Sequence, residues 1–272
     1  KNRNKIITDL DIFYNFYPKN LKITITGTNG KSTTSLLLYK ILLAHKKKVQ
    51  LIGNIGKPML SINKVSEKTI FVIEASSYQI EYSQYFKTDY AIILNIAPDH
   101  LERHGSIQSY AKAKFKLINN QEKNAFSYVD INNKYLKKEI SKKKYKSKLK
   151  IVKYLDFKKI KNKIYNPYFH NLNNIQNLSF IFEIAKQLKL SNKKILKSAN
   201  LFKGLNYRQQ IIKKNKNLTI INDSKSTSFS SSLNLLKSYK NIIWILGGLS
   251  KKNDKFRLPS KYFGNIKCYI YG

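Results

Sequence analysis

The order of apolar and polar positions lays out a regular succession of elements. Leu21–Thr26 alternates as a half-buried strand does, and Thr28-Asn29-Gly30 makes a turn ahead of a helix running to about His45. Val49–Ile52 is a short strand, and Thr69–Ile73 is a continuous apolar one that ends at Glu74. Ser76–Tyr85 reads as loop then helix, Tyr90–Asn95 as another buried strand stopping short of Pro98, and Ser106–Asn119 as a helix. Residues 122–165 read as strands and turns wrapped in lysine. Asn171–Leu188 is a helix with a strong apolar face and Ser191–Leu201 a shorter one; the strands Leu218–Ile221 and Ile242–Leu246 follow, separated by the helix Ser230–Lys237.

Strands alternating with helices predict an α/β fold with a doubly wound, mostly parallel sheet, in which ligands collect at the carboxyl ends of the strands. Gly27, Glu74 and His100 each follow such an end, so the chemistry-bearing residues converge on one edge. The strand–helix count restarts near Leu205, which predicts the start of a second, Rossmann-like α/β unit. The apolar runs fall far short of the roughly 20 residues a membrane-spanning helix needs. The one cysteine, Cys268, allows no disulfide within the chain.

Charge changes the picture less than its size suggests. The 272 residues carry 52 Lys+Arg against 15 Asp+Glu, a net charge of +37. That balance points to a polyanionic partner. Only Arg3, Arg103, Arg208 and Arg257 are arginine, however, and arginine supplies the planar fork typical of base readout. The lysines lie among Asn, Ile, Tyr and Phe, all with A/T-rich codons, so base composition explains the excess without a partner. The run Lys134–Lys150 reads as a solvated loop or helix face. Scarcity is more informative: eight of the ten glycines and three of the four histidines fall inside a few short segments.

The first of these is Ile25-Thr26-Gly27-Thr28-Asn29-Gly30-Lys31-Ser32-Thr33. A strand, a glycine turn and Lys-Ser at a helix start can form a phosphate cradle. Backbone N–H groups and the positive helix end face the anion, the lysine reaches the β/γ-phosphates, and the hydroxyl holds Mg2+. Ile25 stands where the general pattern has glycine, and an ordinary strand–turn–helix is the alternative. Glu74 and His100 end apolar strands, where a carboxylate and an imidazole suit a metal beside a triphosphate. The other reading of His100 is a hydrogen-bonded core histidine, and of Lys114 one more solvated lysine. His170, Asn171 and Asn174 read as a polar helix start, which capping alone would explain.

Together with Gly53-Asn54-Ile55-Gly56-Lys57-Pro58, Glu74-Ala75-Ser76-Ser77-Tyr78-Gln79, the block from Asn95 to Gly105 followed by Tyr110-x-x-x-Lys114, and His170-Asn171-x-x-Asn174, this segment resembles the Mur ligases and their folylpolyglutamate synthetase relatives. Phe202-Lys203-Gly204-Leu205-x-x-Arg208, Asn222-Asp223-Ser224-Lys225-Ser226-Thr227 and Gly247-Gly248-x-x-Lys251 follow in the family's order. The Ser-Ser-Tyr-Gln and Asn-Asp-Ser-Lys segments are most similar to the family's D-glutamate-adding branch.

The resemblance implies a cytoplasmic, ATP-dependent amide ligase of peptidoglycan synthesis. Its substrates would be UDP-N-acetylmuramoyl-L-alanine, D-glutamate and ATP, and it would be a monomer without nucleic-acid or membrane partners. It implies ATP binding by Gly27, Thr28, Asn29, Gly30, Lys31, Ser32, Thr33, Asn171, Asn174, Arg208 and Asp223. One Mg2+ would sit on Ser32 and Glu74, and a second on His100 and a carbamylated Lys114, with Lys31, Glu74, His100 and Lys114 catalytic. Asn54, Ser76, Gln79, Lys225, Thr227 and Lys251 would meet the other substrates. The expected organisation is 1–20 as a connecting remnant of a missing N-terminal domain, 21–204 as the central ATP-binding domain, and 205–272 as a truncated C-terminal domain, a fragment that could bind ATP without turning over. Tyr207 and Gln210 replace the family's usual His and Glu, with an expected cost to domain docking. Another Mur-type ligase or a folylpolyglutamate synthetase, or a basic nucleic-acid-dependent P-loop NTPase, is the alternative.

Overall fold

The computed structural model describes residues 6–142, 144–156, 162–249 and 255–271. In chain order the elements are α1 (Asp9–Phe16), β1 (Lys22–Thr26), α2 (Lys31–Ala44), β2 (Val49–Gly53), β3 (Ile70–Glu74), α3 (Ser77–Tyr82), β4 (Tyr90–Ile93), α4 (Leu101–His104), α5 (Ile107–Asn119), β5 (Phe126–Val129), α6 (Lys134–Ile140) and β6 (Lys148–Ile151). Then come α7 (Leu172–Gln187), α8 (Asn192–Asn200), the strands β7 (Gln210–Lys214) and β8 (Thr219–Asn222), α9 (Phe229–Ser238), β9 (Ile242–Gly247) and β10 (Ile266–Tyr271).

Six strands form one parallel sheet in the order β2-β3-β1-β4-β5-β6. Alternation along each strand feeds two cores. Ile23, Ile25, Val72, Tyr90 and Ile92 face a cluster that takes in Leu37, Leu38, Ile41 and Leu42 of α2 and Leu178, Ile181 and Ile184 of α7. Phe71, Ile73, Ala91 and Ile93 face the other side, against Leu10 and Phe13 of α1, Ile80 of α3 and Phe115 and Ile118 of α5. Covering both faces is what a parallel sheet requires, because each crossover lays a helix on the sheet. The chain leaves β1 for β2 on one side and returns to place β4 on the other. The β1–β4 boundary is therefore a topological switch point, where such sheets open a ligand crevice.

From residue 21 to 119 the order of strands and helices follows the sequence expectation, to which the structure adds α1 and the short α4. The lysine-wrapped region does not consist of strands and turns alone: Asn133 accepts from the backbone of Tyr135 and Leu136 and caps α6, which buries Leu136. After residue 205 the expected α/β unit is two separate two-stranded sheets, β7–β8 antiparallel and β9–β10 parallel. Short strands with scattered apolar positions gave no periodic signal for β7 or β10. No described helix is long and apolar enough to cross a membrane.

The segment ahead of the sheet is docked, not loose. Asp11, buried in α1, accepts from the backbone N–H of Thr8, Gln84, Tyr85 and Phe86 and from the Ser83 hydroxyl, at 2.7–3.0 Å. Burial pushes this carboxyl upward, but the bonds it accepts outweigh that and hold it below its usual range. A carboxylate depressed in the folded state lends stability above its unfolded pKa, and that stability is lost as pH falls through the folded one. Asp11→Asn is therefore expected to lower stability by about 2 kcal/mol at neutral pH. In urea titrations the gap to the unaltered chain should narrow as pH falls below about 4; a gap constant across that range would contradict this account.

Candidate functional site

The crevice at the switch point is built from the loop after β1. Gly30 has φ +85°, and a Cβ there would stand 2.4 Å from the Asn177 side-chain oxygen, so any other residue would strain the turn into α2 and push the Asn177 amide aside. Asn95, after β4, splints the loop: its side-chain oxygen accepts the Asn29 N–H at 2.9 Å, its amide donates to the Asn29 carbonyl, and its own carbonyl accepts the Thr28 N–H. Thr28 Oγ1 in turn accepts the Ala97 N–H at 2.9 Å. The Lys31 ammonium lies back across the loop and donates to the carbonyls of Gly27 and Thr28, each at 2.9 Å. The cation is thus already at the mouth of the turn that would cradle a phosphate. Ser32 and Thr33 follow in the first turn of α2, and Thr33 Oγ1 meets the Tyr168 hydroxyl at 3.2 Å.

Glu74, the last residue of β3, is 4% exposed and hydrogen-bonded to Ser32, while its Oε2 has no hydrogen-bond partner. Burial pushes its carboxyl above the usual range, opposed by Lys31, by the Ser32 bond and by the cations of Arg208 and Lys114. A buried carboxylate oxygen left over beside a hydroxyl is a donor pair that fits a hard cation. Gly53 closes the back of the strand end, since a Cβ there would lie 2.3 Å from the Glu74 carbonyl oxygen.

Lys114 departs furthest from its bland reading. It is buried on α5, donates to Thr26 Oγ1 at 3.3 Å and sits 4.6 Å from the Tyr110 ring centre. Burial holds its amine well below its usual pKa, with Lys31 pushing the same way and Asp99 and Glu74 opposing. His100 opens α4 with φ +54°; its Nε2 stands 3.4 Å from Asp99 and its Nδ1 3.7 Å from Glu102. Among the described residues no three His, Cys, Asp or Glu side chains gather as a metal site. A second cation near His100 would need a further anionic donor, and an ammonium at Lys114 is not one.

A polar cleft runs from this loop to the segment after residue 205. It is lined by Asn29, Gly30 and Thr33, by Tyr168, Asn174 and Asn177, and by Arg208, Gln209, Asp223 and Ser226. Asn171 caps α7, accepting the Asn174 N–H at 2.9 Å, so capping does account for part of that motif. Its amide also reaches Gln209 Oε1 at 3.2 Å, tying α7 to the later segment. Asp223 accepts the Gln209 N–H and the Ser226 hydroxyl, and burial pushes its carboxyl up.

Other expected residues stand apart from the loop. Ser76 and Gln79 bond to each other as a capping box on α3, and the Gln79 amide donates to Asp9 at 2.8 Å. Asn54 is exposed and donates its backbone N–H to the Glu74 carbonyl. Lys225 and Thr227 are exposed on either side of Ser226, and Lys251 lies outside the described residues. Tyr207 and Gln210 work within one turn: Gln210 Oε1 accepts the Tyr207 N–H, and the Tyr207 carbonyl accepts the Lys225 N–H. Asn95, Asn177 and Gln209 received no role from the sequence. Asn177 follows Asn174 by three residues on one helix face, which was the available signal.

Residues 25–185 match the family model described as Mur ligase middle domain. The chain is 34% identical over 286 residues to the UDP-N-acetylmuramoylalanine--D-glutamate ligase of Rickettsia prowazekii (strain Madrid E), covering 98% of this chain and 63% of that protein. It is 34% identical over 281 residues to the ligase of the same name from Francisella tularensis subsp. novicida, covering all of this chain and 64% of that protein. The chain thus spans less than two thirds of these relatives' length. Among solved structures it is similar in fold to MurF from Acinetobacter baumannii (TM-score 0.68, 17% identity, 88% of this chain and 59% of that one). The MurF ligase from Thermotoga maritima in complex with ADP is also similar (TM-score 0.65, 17% identity, 89% and 62%).

The splint offers a direct test of the cradle. Asn95→Ala removes two side-chain bonds that shape the loop, so nucleotide affinity measured by calorimetry is expected to fall about tenfold. Unchanged affinity would show that the loop holds its form without Asn95.

Proposed function

The chain belongs to the Mur ligase family, and from that premise we propose that it is the catalytic part of an ATP-dependent ligase that joins D-glutamate to UDP-N-acetylmuramoyl-L-alanine. The observation that carries this reading is the meeting of Lys31, Ser32, Glu74 and Lys114 at the strand ends beside a glycine loop. In this reading residues 21–204 are the nucleotide-binding domain and 205–272 part of a second domain. The protein is a cytoplasmic monomer that uses no nucleic acid.

The reaction follows from the charges. The alanyl carboxylate attacks the γ-phosphorus of ATP and ADP leaves, giving an acyl phosphate. The D-glutamate amine then adds to the acyl carbon, phosphate leaves, and the nitrogen gives up a proton as the amide forms. Lys31 exchanges the loop carbonyls for the β/γ-phosphates and offsets the charge on the transferring group. The loop N–H groups and the start of α2 hold the remaining oxygens. Asn174, Arg208 and Asp223 line the cleft that takes the nucleoside and its phosphates, with Asn171 bonded to Gln209 at its edge, while Ser76, Gln79, Asn54, Lys225, Thr227 and Lys251 take the other substrates. The Asn171–Gln209 bond keeps the two sides of the cleft closed on the nucleotide.

Ser32 and Glu74 would hold one Mg2+, and His100 with Lys114 a second. Bound Mg2+ supplies charge neutralisation at the phosphoryl oxygens. Lys114 suits its part only as a carbamate. Its buried amine, whose ammonium form burial disfavours, forms an N–C bond to CO2 and loses a proton, becoming an anionic oxygen donor.

Phosphate release by the full-length protein tests the reading. Release is expected to require UDP-N-acetylmuramoyl-L-alanine together with D-glutamate; stimulation by DNA or RNA instead would overturn it. Lys31→Ala and Lys114→Ala should each lower turnover by at least about a hundredfold. Short carboxylic acids, which can stand in for a carbamate, should restore part of the activity to Lys114→Ala and none to Lys31→Ala.

A further inference from the structure

We propose that His104 is a positioning residue, which pins the short helix α4 to α3 and thereby fixes His100 relative to Glu74. This rests on the reading that His100 serves a second cation.

Helix α4 has four residues, too few to hold its own shape in water. It is entered through His100 in the left-handed region and left through Gly105 at φ +73°, so its backbone needs outside support. That support comes from α3. The buried His104 Nε2 meets Ser77 Oγ at 3.0 Å, and Arg103 donates to the Tyr82 hydroxyl at 2.7 Å. The Tyr78 ring lies parallel to the His104 ring, 5.4 Å away at 4°, with its centroid 5.2 Å from His100. Tyr110 closes the far side of His104 at 5.1 Å, and the Glu81 carboxylate stands 3.4 Å from Nδ1.

Ser77 is three positions after Glu74, and His104 is one helical turn beyond His100. The Ser77–His104 bond is therefore a short mechanical link between the end of β3, which carries Glu74, and α4, which His100 opens. With its side chain 1% exposed, His104 itself meets neither substrate nor metal. Its effect runs through α4, as partners behind a metal ligand commonly act.

The test uses Mn2+ as a paramagnetic probe, counted by electron paramagnetic resonance on the intact protein. A non-hydrolysable ATP analogue and bicarbonate are present, and Ser77→Ala and His104→Phe are compared singly and together. The unaltered protein is expected to bind two Mn2+. Each single variant should keep one at unchanged affinity and bind the other about tenfold more weakly, the double variant being no worse than the poorer single one. Thermal midpoints taken alongside separate this from a merely structural part, which would move the midpoint and leave Mn2+ binding intact. Two Mn2+ held equally well by the folded variants would overturn the pin alone. A single Mn2+ on the unaltered protein would overturn the two-cation reading and the pin with it. Should His104→Phe fail to fold, the smaller Ser77→Ala change carries the comparison.

Discussion

The site depends on one buried carboxylate. Glu74 closes a strand in the sheet interior, where an isolated charge is costly, and its neighbours are Ser32, Lys31, Lys114 and Arg208. They come from three parts of the chain: two from the start of α2, one from α5, and one from the segment after residue 205. The start of α2, α5 and the second part of the chain thus all bring charge or a hydroxyl to bear on one carboxylate. The same neighbours leave its Oε2 without a hydrogen bond, which makes the cluster a place for a cation and not a closed ion pair.

Lys114 has the complementary problem. A buried ammonium near Lys31 is disfavoured by burial and by like charge together, and Tyr110 and Thr26 offset little of that. Burial that disfavours the ammonium favours the nucleophilic amine, and converting it to an anion would relieve both penalties. Structural economy and chemistry therefore point the same way at this residue. Among the described lysines Lys22 is buried too, its ammonium held by the carbonyls of Pro18 and Asn20, while others such as Lys19 and Lys87 pair with Glu67 and Glu122 in the open. The +37 needs no polyanion to account for it.

The central sheet was legible because parallel strands buried on both faces read as apolar runs, and the turns between them carried rare residues such as Gly30 and Gly53. The loop and Glu74 were legible for the same reason, since each directly follows such a run, and His100 because it stands a few residues beyond the next one. What stayed hidden depended on tertiary contact. No pattern in the sequence shows that Asn95 splints the loop from a strand 66 residues away, or that Asp11 gathers five donors. Lys114 could be singled out only through its place in a family motif, since burial is invisible among 48 lysines. The region after residue 205 was read as one α/β unit because its strands were counted without regard to partners, and register is a property of pairs.

Calorimetry of ATP binding with and without Mg2+, on the unaltered protein and on Glu74→Gln, tests the central claim most directly. A carboxylate left incomplete for a cation predicts that Mg2+ tightens ATP binding by at least about tenfold, and that Glu74→Gln abolishes the gain while ATP alone still binds. Equal affinities with and without Mg2+, or a gain that survives Glu74→Gln, would contradict it.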